Sequence, residues 1–212
     1  MAHPPPPPTR WETQVTGERW DFYVERFARH VADGDDLEGE ARFLDMMAPR
    51  GAAILDGGTG TGRVAAALHR MGHRVIGVDR DTGLLEVARR SHPGVAYLSS
   101  DLLEITPDLL ATHGFADPFD IVALPGNVLV YVAPGTERQV LATMFALLRP
   151  GGRLVAGFAT DRDYRVSDLD RDSSAVGFVL EHRFATWHLD PWAADSDWHV
   201  SVVRRPDDGC VD

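Results

Sequence analysis

The chain has 212 residues, 44% of them hydrophobic and 25% charged, which suits one globular domain with a sizeable core. Its net charge of −11 argues against nucleic acid or an anionic membrane as the main partner, because both reward clustered cations. A single cysteine, Cys210, excludes an intrachain disulfide framework and fits a reducing, cytoplasmic setting, and no apolar run reaches the length of a membrane span.

The N-terminus, with prolines from Pro4 to Pro8, has no apolar stretch of the kind a signal peptide needs. It reads as polyproline II, so residues 1–17 are expected as a disordered tail. Residues 18–31 have helical spacing, with Trp20, Val24, Phe27 and Val31 on one face. The acidic run from Asp33 to Asp36 lacks the ligand order of a calcium loop and reads as a solvated turn. A second helix is expected over 38–47, stopped by Pro49 and Gly51. From there the chain alternates: strands at 52–55, 74–78, 95–98, 119–124 and 153–158, with helices at 62–71, 81–91, 107–113 and 135–148. Arg149-Pro150-Gly151-Gly152 reads as a turn before the fifth strand. Alternation of this kind predicts a doubly wound, parallel α/β sheet. Residues 178–189 and 198–205 then read as a hairpin, so one of those strands must run antiparallel. The body is expected to span 51–205, with 206–212 as a tail.

The strand at 52–55 runs into Asp56-Gly57-Gly58-Thr59-Gly60-Thr61-Gly62-Arg63 and a helix former. Strand, glycine-dense turn and helix N-terminus bring a backbone close to a ligand and aim unpaired N–H groups at it. Glycines at 58, 60 and 62 make G-x-G-x-G, whereas the dinucleotide fingerprint is G-x-G-x-x-G; its third glycine would fall on Arg63. Asp56 opens the turn with an anion, awkward beside a pyrophosphate and useful beside a cation. Asp79 ends the second strand about 20 residues on, where an acid commonly takes ribose hydroxyls. That position serves NAD enzymes equally.

The run from Asp56 to Gly62 resembles the first motif of the class I S-adenosylmethionine-dependent methyltransferases, roughly D-x-G-x-G-x-G, with Gly58 where many members carry Cys or Ser. The closing hairpin is a second likeness to that family. The resemblance covers most of 52–205. It implies a seven-stranded, mostly parallel Rossmann-like sheet with a C-terminal antiparallel hairpin, and methyl transfer to a small-molecule acceptor. It implies S-adenosylmethionine as cofactor, held by Asp56, Gly57, Gly58, Thr59, Gly60 and Asp79. Arg80 would lie along the purine edge or stand solvated. Asp101 and Leu102 would take the adenine, and Pro125 and Asn127 would lie near the reacting methyl group, where Asn127 orients a substrate, binds the cofactor tail or serves as a turn residue. Residues 18–50 would form a helical lid in which Trp20, Tyr23 and Arg42 are candidates for the methionine end; packing for Trp20 and pairing with Glu38 for Arg42 are the alternatives.

Other chemistry has less support. His69 and His73 have metal-ligand spacing but no third ligand, so no metal is expected. His182, His188 and His199 are expected half-exposed on the hairpin. Trp187, Trp192 and Trp198 line an acceptor pocket or pack the hairpin. Neither a G-x-S-x-G elbow nor a P-loop occurs. Tyr131, Tyr164, His188 and Glu40 could each act as general base, and nothing selects among them. An NAD-dependent oxidoreductase and a non-catalytic scaffold of the same fold stay open as alternatives.

Overall fold

A computed structural model of the protein describes residues 5–207, without the side chains of Phe27, Ala28 and Val31. Part of the proline run, Cys210, and the side-chain positions of Phe27 and Val31 therefore lie outside the described residues.

The sheet grows outward from β1 (Ala53–Gly57), which is buried along its whole length. Successive side chains of a strand face opposite ways. Ile54 accordingly enters one core cluster and Leu55 the other. A strand buried on both faces needs helices on both, and a parallel crossover supplies them. β1 pairs in parallel with β2 (Arg74–Asp79) and with β4 (Phe119–Leu124). β3 (Ala96–Ser99) and β5 (Leu148–Ala159) extend the sheet on either side, also in parallel. Beyond β5 lies β7 (Trp198–Arg204), antiparallel to it, and β6 (Val179–Phe184) forms the edge. The strand order is β3-β2-β1-β4-β5-β7-β6. This is the seven-stranded, mostly parallel sheet with a terminal antiparallel hairpin that the sequence predicts.

The helices divide between the faces. α3 (Gly39–Met47), α4 (Arg63–Arg70) and α5 (Thr82–Ser91) pack with Ile54. α6 (Pro107–Ala111), α7 (Val128–Tyr131), α8 (Glu137–Leu147) and α9 (Val166–Val176) pack with Leu55. Winding reverses between β1 and β4, which opens a crevice at the carboxyl ends of those strands. α1 (Arg10–Gln14) and α2 (Glu18–Ala32) complete the chain.

Several expectations need correction. Residues 10–14 are helical rather than part of an unstructured tail. Thr9 accepts from the Glu12 N–H while the Glu12 carboxylate takes the Thr9 N–H, and this capping box starts α1. α7 and α9 were not expected. α9 carries few apolar residues; Leu169 is fully buried, and Asp172 is held by Arg138 at 2.8 Å and Arg171 at 3.1 Å. The turn at 149–152 is an irregularity inside β5, where Leu148 pairs with Phe119 and Arg153 with Ile121. β6 stops at Phe184, short of the expected 189, and Leu189 has φ +69°. His199 is fully buried, not half-exposed. It stands edge-on to Phe158 at 4.0 Å, and burial pushes its pKa down to about 3. His182 and His188 are exposed.

Leu169 is the apolar anchor of α9. Leu169→Ala should cost about 2–5 kcal/mol, read as a lower urea midpoint with an unchanged slope; an unaltered midpoint would mean that α9 is held by its ion pairs instead.

Candidate functional site

The floor of the site is the turn after β1. Gly58, Gly60 and Gly62 follow Asp56 at φ +67°, +56° and +79°, a left-handed run that glycine adopts without strain. A Cβ at Gly58 would meet Val128 Cγ2 at 2.7 Å, and one at Gly60 would approach the Tyr23 hydroxyl at 3.1 Å.

Two carboxylates hold this turn. Asp56 Oδ2 accepts from Thr59 Oγ1 at 2.6 Å and from the Ala65 N–H at 3.2 Å, while Oδ1 is buried without a partner. Asp79 Oδ2 accepts from the Gly60 N–H at 2.8 Å, and Oδ1 from the Asp81 N–H at 2.9 Å. Burial pushes Asp56 up to about 7 and Asp79 up to about 6; their hydrogen bonds pull the other way without winning. Asp101 sits after β3, with Oδ1 accepting from the Leu103 N–H and Oδ2 from Arg80, each at 2.8 Å. Arg80 also meets Glu12 at 3.0 Å.

These groups border a cavity of about 830 Å³, within the usual range for small-molecule sites. Its floor carries Asp56, Gly58, Thr59, Gly60, Asp79 and Arg80, joined by Asp101, Leu102, Pro125 and Asn127. Most of the residues that the resemblance implies for the cofactor therefore border one cavity. Its roof comes from α1 and α2 through Trp11, Glu12 and Tyr23, with Leu37 and Glu40 beside α3. Burial is the main cause that pushes the Tyr23 hydroxyl up to about 12, with Asp79 adding to it. The wall opposite the acids includes Tyr131, Thr136, Arg162 and Trp198.

Two expected residues do not line it. Arg42 is exposed on α3 and pairs with Asp36, which itself borders the cavity, rather than with Glu38, which takes Arg70 instead. Gly57 is buried below the turn, where a Cβ would meet Leu124 Cδ2 at 2.7 Å; it serves packing. Asn127 lines the cavity but has φ +72°, and its Oδ1 accepts from the Ala159 N–H at 2.9 Å, so it ties the end of β5 to the turn after β4. Trp20 donates to Asp81 at 2.8 Å. Of the four suggested bases, Tyr131 and Glu40 border the cavity, with Glu40 committed to Arg63 at 2.6 Å. Tyr164 is buried against Asp172 at 3.3 Å, and His188 lies beside Gly39. Trp187 packs edge-on against Phe43 at 5.5 Å. His73 binds Asp45 at 2.9 Å, and among the described residues no group of His, Cys, Asp and Glu side chains could hold a metal ion.

Trp11 and Glu12 were missed. The signal was present in Thr9-Arg10-Trp11-Glu12, whose first and last residues fit a capping box.

A family model described as a methyltransferase domain matches residues 54–152. The chain is 39% identical over 123 residues to a ubiquinone biosynthesis O-methyltransferase of Methylocella silvestris, a match covering 57% of this chain and 45% of that protein. It is 30% identical over 114 residues to a tRNA 5-carboxymethoxyuridine methyltransferase of Escherichia coli, covering 53% of this chain and 42% of that protein. The chain thus spans less than half the length of either curated relative. A crystal structure of a TehB-like S-adenosylmethionine-dependent methyltransferase of Corynebacterium glutamicum superposes with a TM-score of 0.79 at 33% identity, covering 87% of this chain and 97% of the other.

The raised pKa values have a sign. A carboxyl whose folded pKa stands above its unfolded value adds no penalty below pH 3.8, and its destabilisation grows up to about 7 for Asp56. Asp56→Asn should therefore be more stable than the parent at pH 8, with the gap closing as pH falls from 7 toward 4. Melting temperatures across that range check this; a gap independent of pH would count against the buried charge.

Proposed function

The chain belongs to the class I S-adenosylmethionine-dependent methyltransferases, and from that premise we propose that it methylates a small-molecule acceptor in the cavity between the glycine turn and the helical roof. When bound, S-adenosylmethionine supplies an electrophilic methyl carbon on a sulfonium. The charge of the floor carries the reading: three carboxylates, Asp56, Asp79 and Asp101, follow one another along it. Arg63, at the place of the dinucleotide fingerprint's third glycine, borders the cavity with its charge paired to Glu40. Such a floor suits a ligand with a cationic centre, ribose hydroxyls and an exocyclic amine, and disfavours a pyrophosphate. The oxidoreductase and scaffold alternatives lose their support.

Each residue has a physical task in this reading. The unpartnered Oδ1 of Asp56 accepts from the amino-acid end of the cofactor. Asp79 keeps lone pairs beyond its two backbone bonds and takes the ribose hydroxyls. Asp101 and the Leu102 N–H take the adenine edge, with Arg80 beside them. Asn127 keeps the turn after β4 in shape rather than touching the reacting atoms. Residues 18–50, together with α1, close the top. The acceptor sits against Tyr131, Thr136 and Trp198; alignment supplies rate, and a base is needed only where the acceptor must lose a proton. Holding reactants in line can contribute roughly 7–11 kcal/mol.

The net charge of −11 and the acidic floor favour a small acceptor over RNA, although one relative is named for tRNA. Among the described residues no helix is long and apolar enough to cross a membrane. A cytoplasmic location belongs to the proposal.

Calorimetry tests the cofactor directly. S-adenosylhomocysteine should bind the parent, and Asp79→Ala should weaken it at least about tenfold, since hydrogen bonds to a charged group are worth roughly 1.5–3 kcal/mol each. NAD should give no heat. Binding of NAD, or silence with S-adenosylhomocysteine from folded protein, would overturn the reading.

A further inference from the structure

Two tryptophans on separate helices share one carboxylate oxygen. Trp11 of α1 and Trp20 of α2 donate their indole N–H groups to Asp81 Oδ2 at 2.9 and 2.8 Å. Asp81 Oδ1 meanwhile caps α5, accepting from the Leu84 N–H at 3.1 Å. Beside it, Arg80 holds Glu12 at 3.0 Å and the Pro7 carbonyl at 2.9 Å. On the far bank of the cavity, Arg10 reaches Glu137 at 2.8 Å and the Val132 carbonyl at 3.2 Å. The Trp11 ring stands edge-on to Tyr23 at 4.9 Å and to Tyr131 at 5.5 Å. The N-terminal segment therefore crosses the cavity, tied to the β2–α5 turn on one side and to α7 and α8 on the other.

A second observation comes from α5 itself. Gly83 stands in its first turn, a position where glycine is a poor helix former. A Cβ there would meet Trp20 Cζ2 at 3.0 Å. The glycine leaves room for the indole ring to seat on the helix end.

We propose that residues 9–23 are a strap that folds over the bound cofactor and is latched on Asp81, so that the latch sets the rate of cofactor exchange. This rests on the reading of the cavity as an S-adenosylmethionine site. Both indoles must let go of a charged acceptor before the strap lifts, and such bonds are stronger than neutral ones. Asp81 also donates its own N–H to Asp79, so the latch and the ribose-binding acid share one short turn. Asp81 is a positioning residue and touches no reacting atom.

The test is exchange of radiolabelled S-adenosylhomocysteine, preloaded on the full chain, against an unlabelled excess. Asp81→Asn preserves the helix cap, because Asn caps as well as Asp. It should speed exchange about tenfold, the scale of one lost charge-assisted bond. Trp11→Phe and Trp20→Phe keep the rings, lose the N–H groups, and should each show part of that effect. Gly83→Ala separates a latch from a structural prop: it should hold or raise the melting temperature and still speed exchange. S-adenosylhomocysteine should slow trypsin cleavage after Arg19 in the parent, and less so in Asp81→Asn. Unchanged exchange in all four variants, with the ligand still bound, overturns the strap alone. Failure of the parent to bind S-adenosylhomocysteine overturns the cofactor reading as well.

Discussion

Asp79 accepts two backbone N–H groups, from Gly60 at 2.8 Å and from Asp81 at 2.9 Å, and in doing so joins the turn after β1 to the turn after β2. The rest of the site hangs from that junction. On one side lies the left-handed glycine run and, through Thr59, the buried Asp56. On the other, Arg80 reaches Asp101 and Asp81 carries two tryptophans of the roof. The carboxylate can hold both turns and still keep lone pairs for the ribose role proposed for it, because each of its oxygens can accept more than one hydrogen bond.

The arrangement costs stability. Burial favours the protonated form of a carboxylate, and both Asp56 and Asp79 are shifted that way, with Arg63 offsetting only part of the shift at Asp56. The nearby guanidinium, Arg63, relieves Asp56 in part and is also paired with Glu40. What remains is a floor whose electrostatic demand a cationic ligand can meet.

Most of the α/β body was legible because period and punctuation agreed. Strands such as β4, apolar but for Asp120, are short runs between turn residues, and the helices between them carry amphipathic spacing. Where local signals were weak the reading failed. α9 is built mostly from Ser, Asp and Arg around one buried leucine, and its helix is secured by Asp172 pairing with Arg138 of α8. α7 has four residues and follows a left-handed asparagine. The fifth strand continues through a Pro-Gly-Gly run that locally reads as its start, because pairing with β4 resumes on both sides of the irregularity.

The sequence by itself determined the turn: glycine takes the three left-handed positions without strain, and the acids stand at the ends of strands that alternation marks as parallel. Tertiary structure decided what lies above it. Trp11 reaches Asp81 across 70 residues of chain and Arg10 reaches Glu137 across 127, distances over which no local pattern carries information. Arg42 was sent outward and Tyr23 inward by the same packing. Which face of a short helix meets a ligand depends on the sheet beneath it, and that surface exists only after strands distant in sequence have paired.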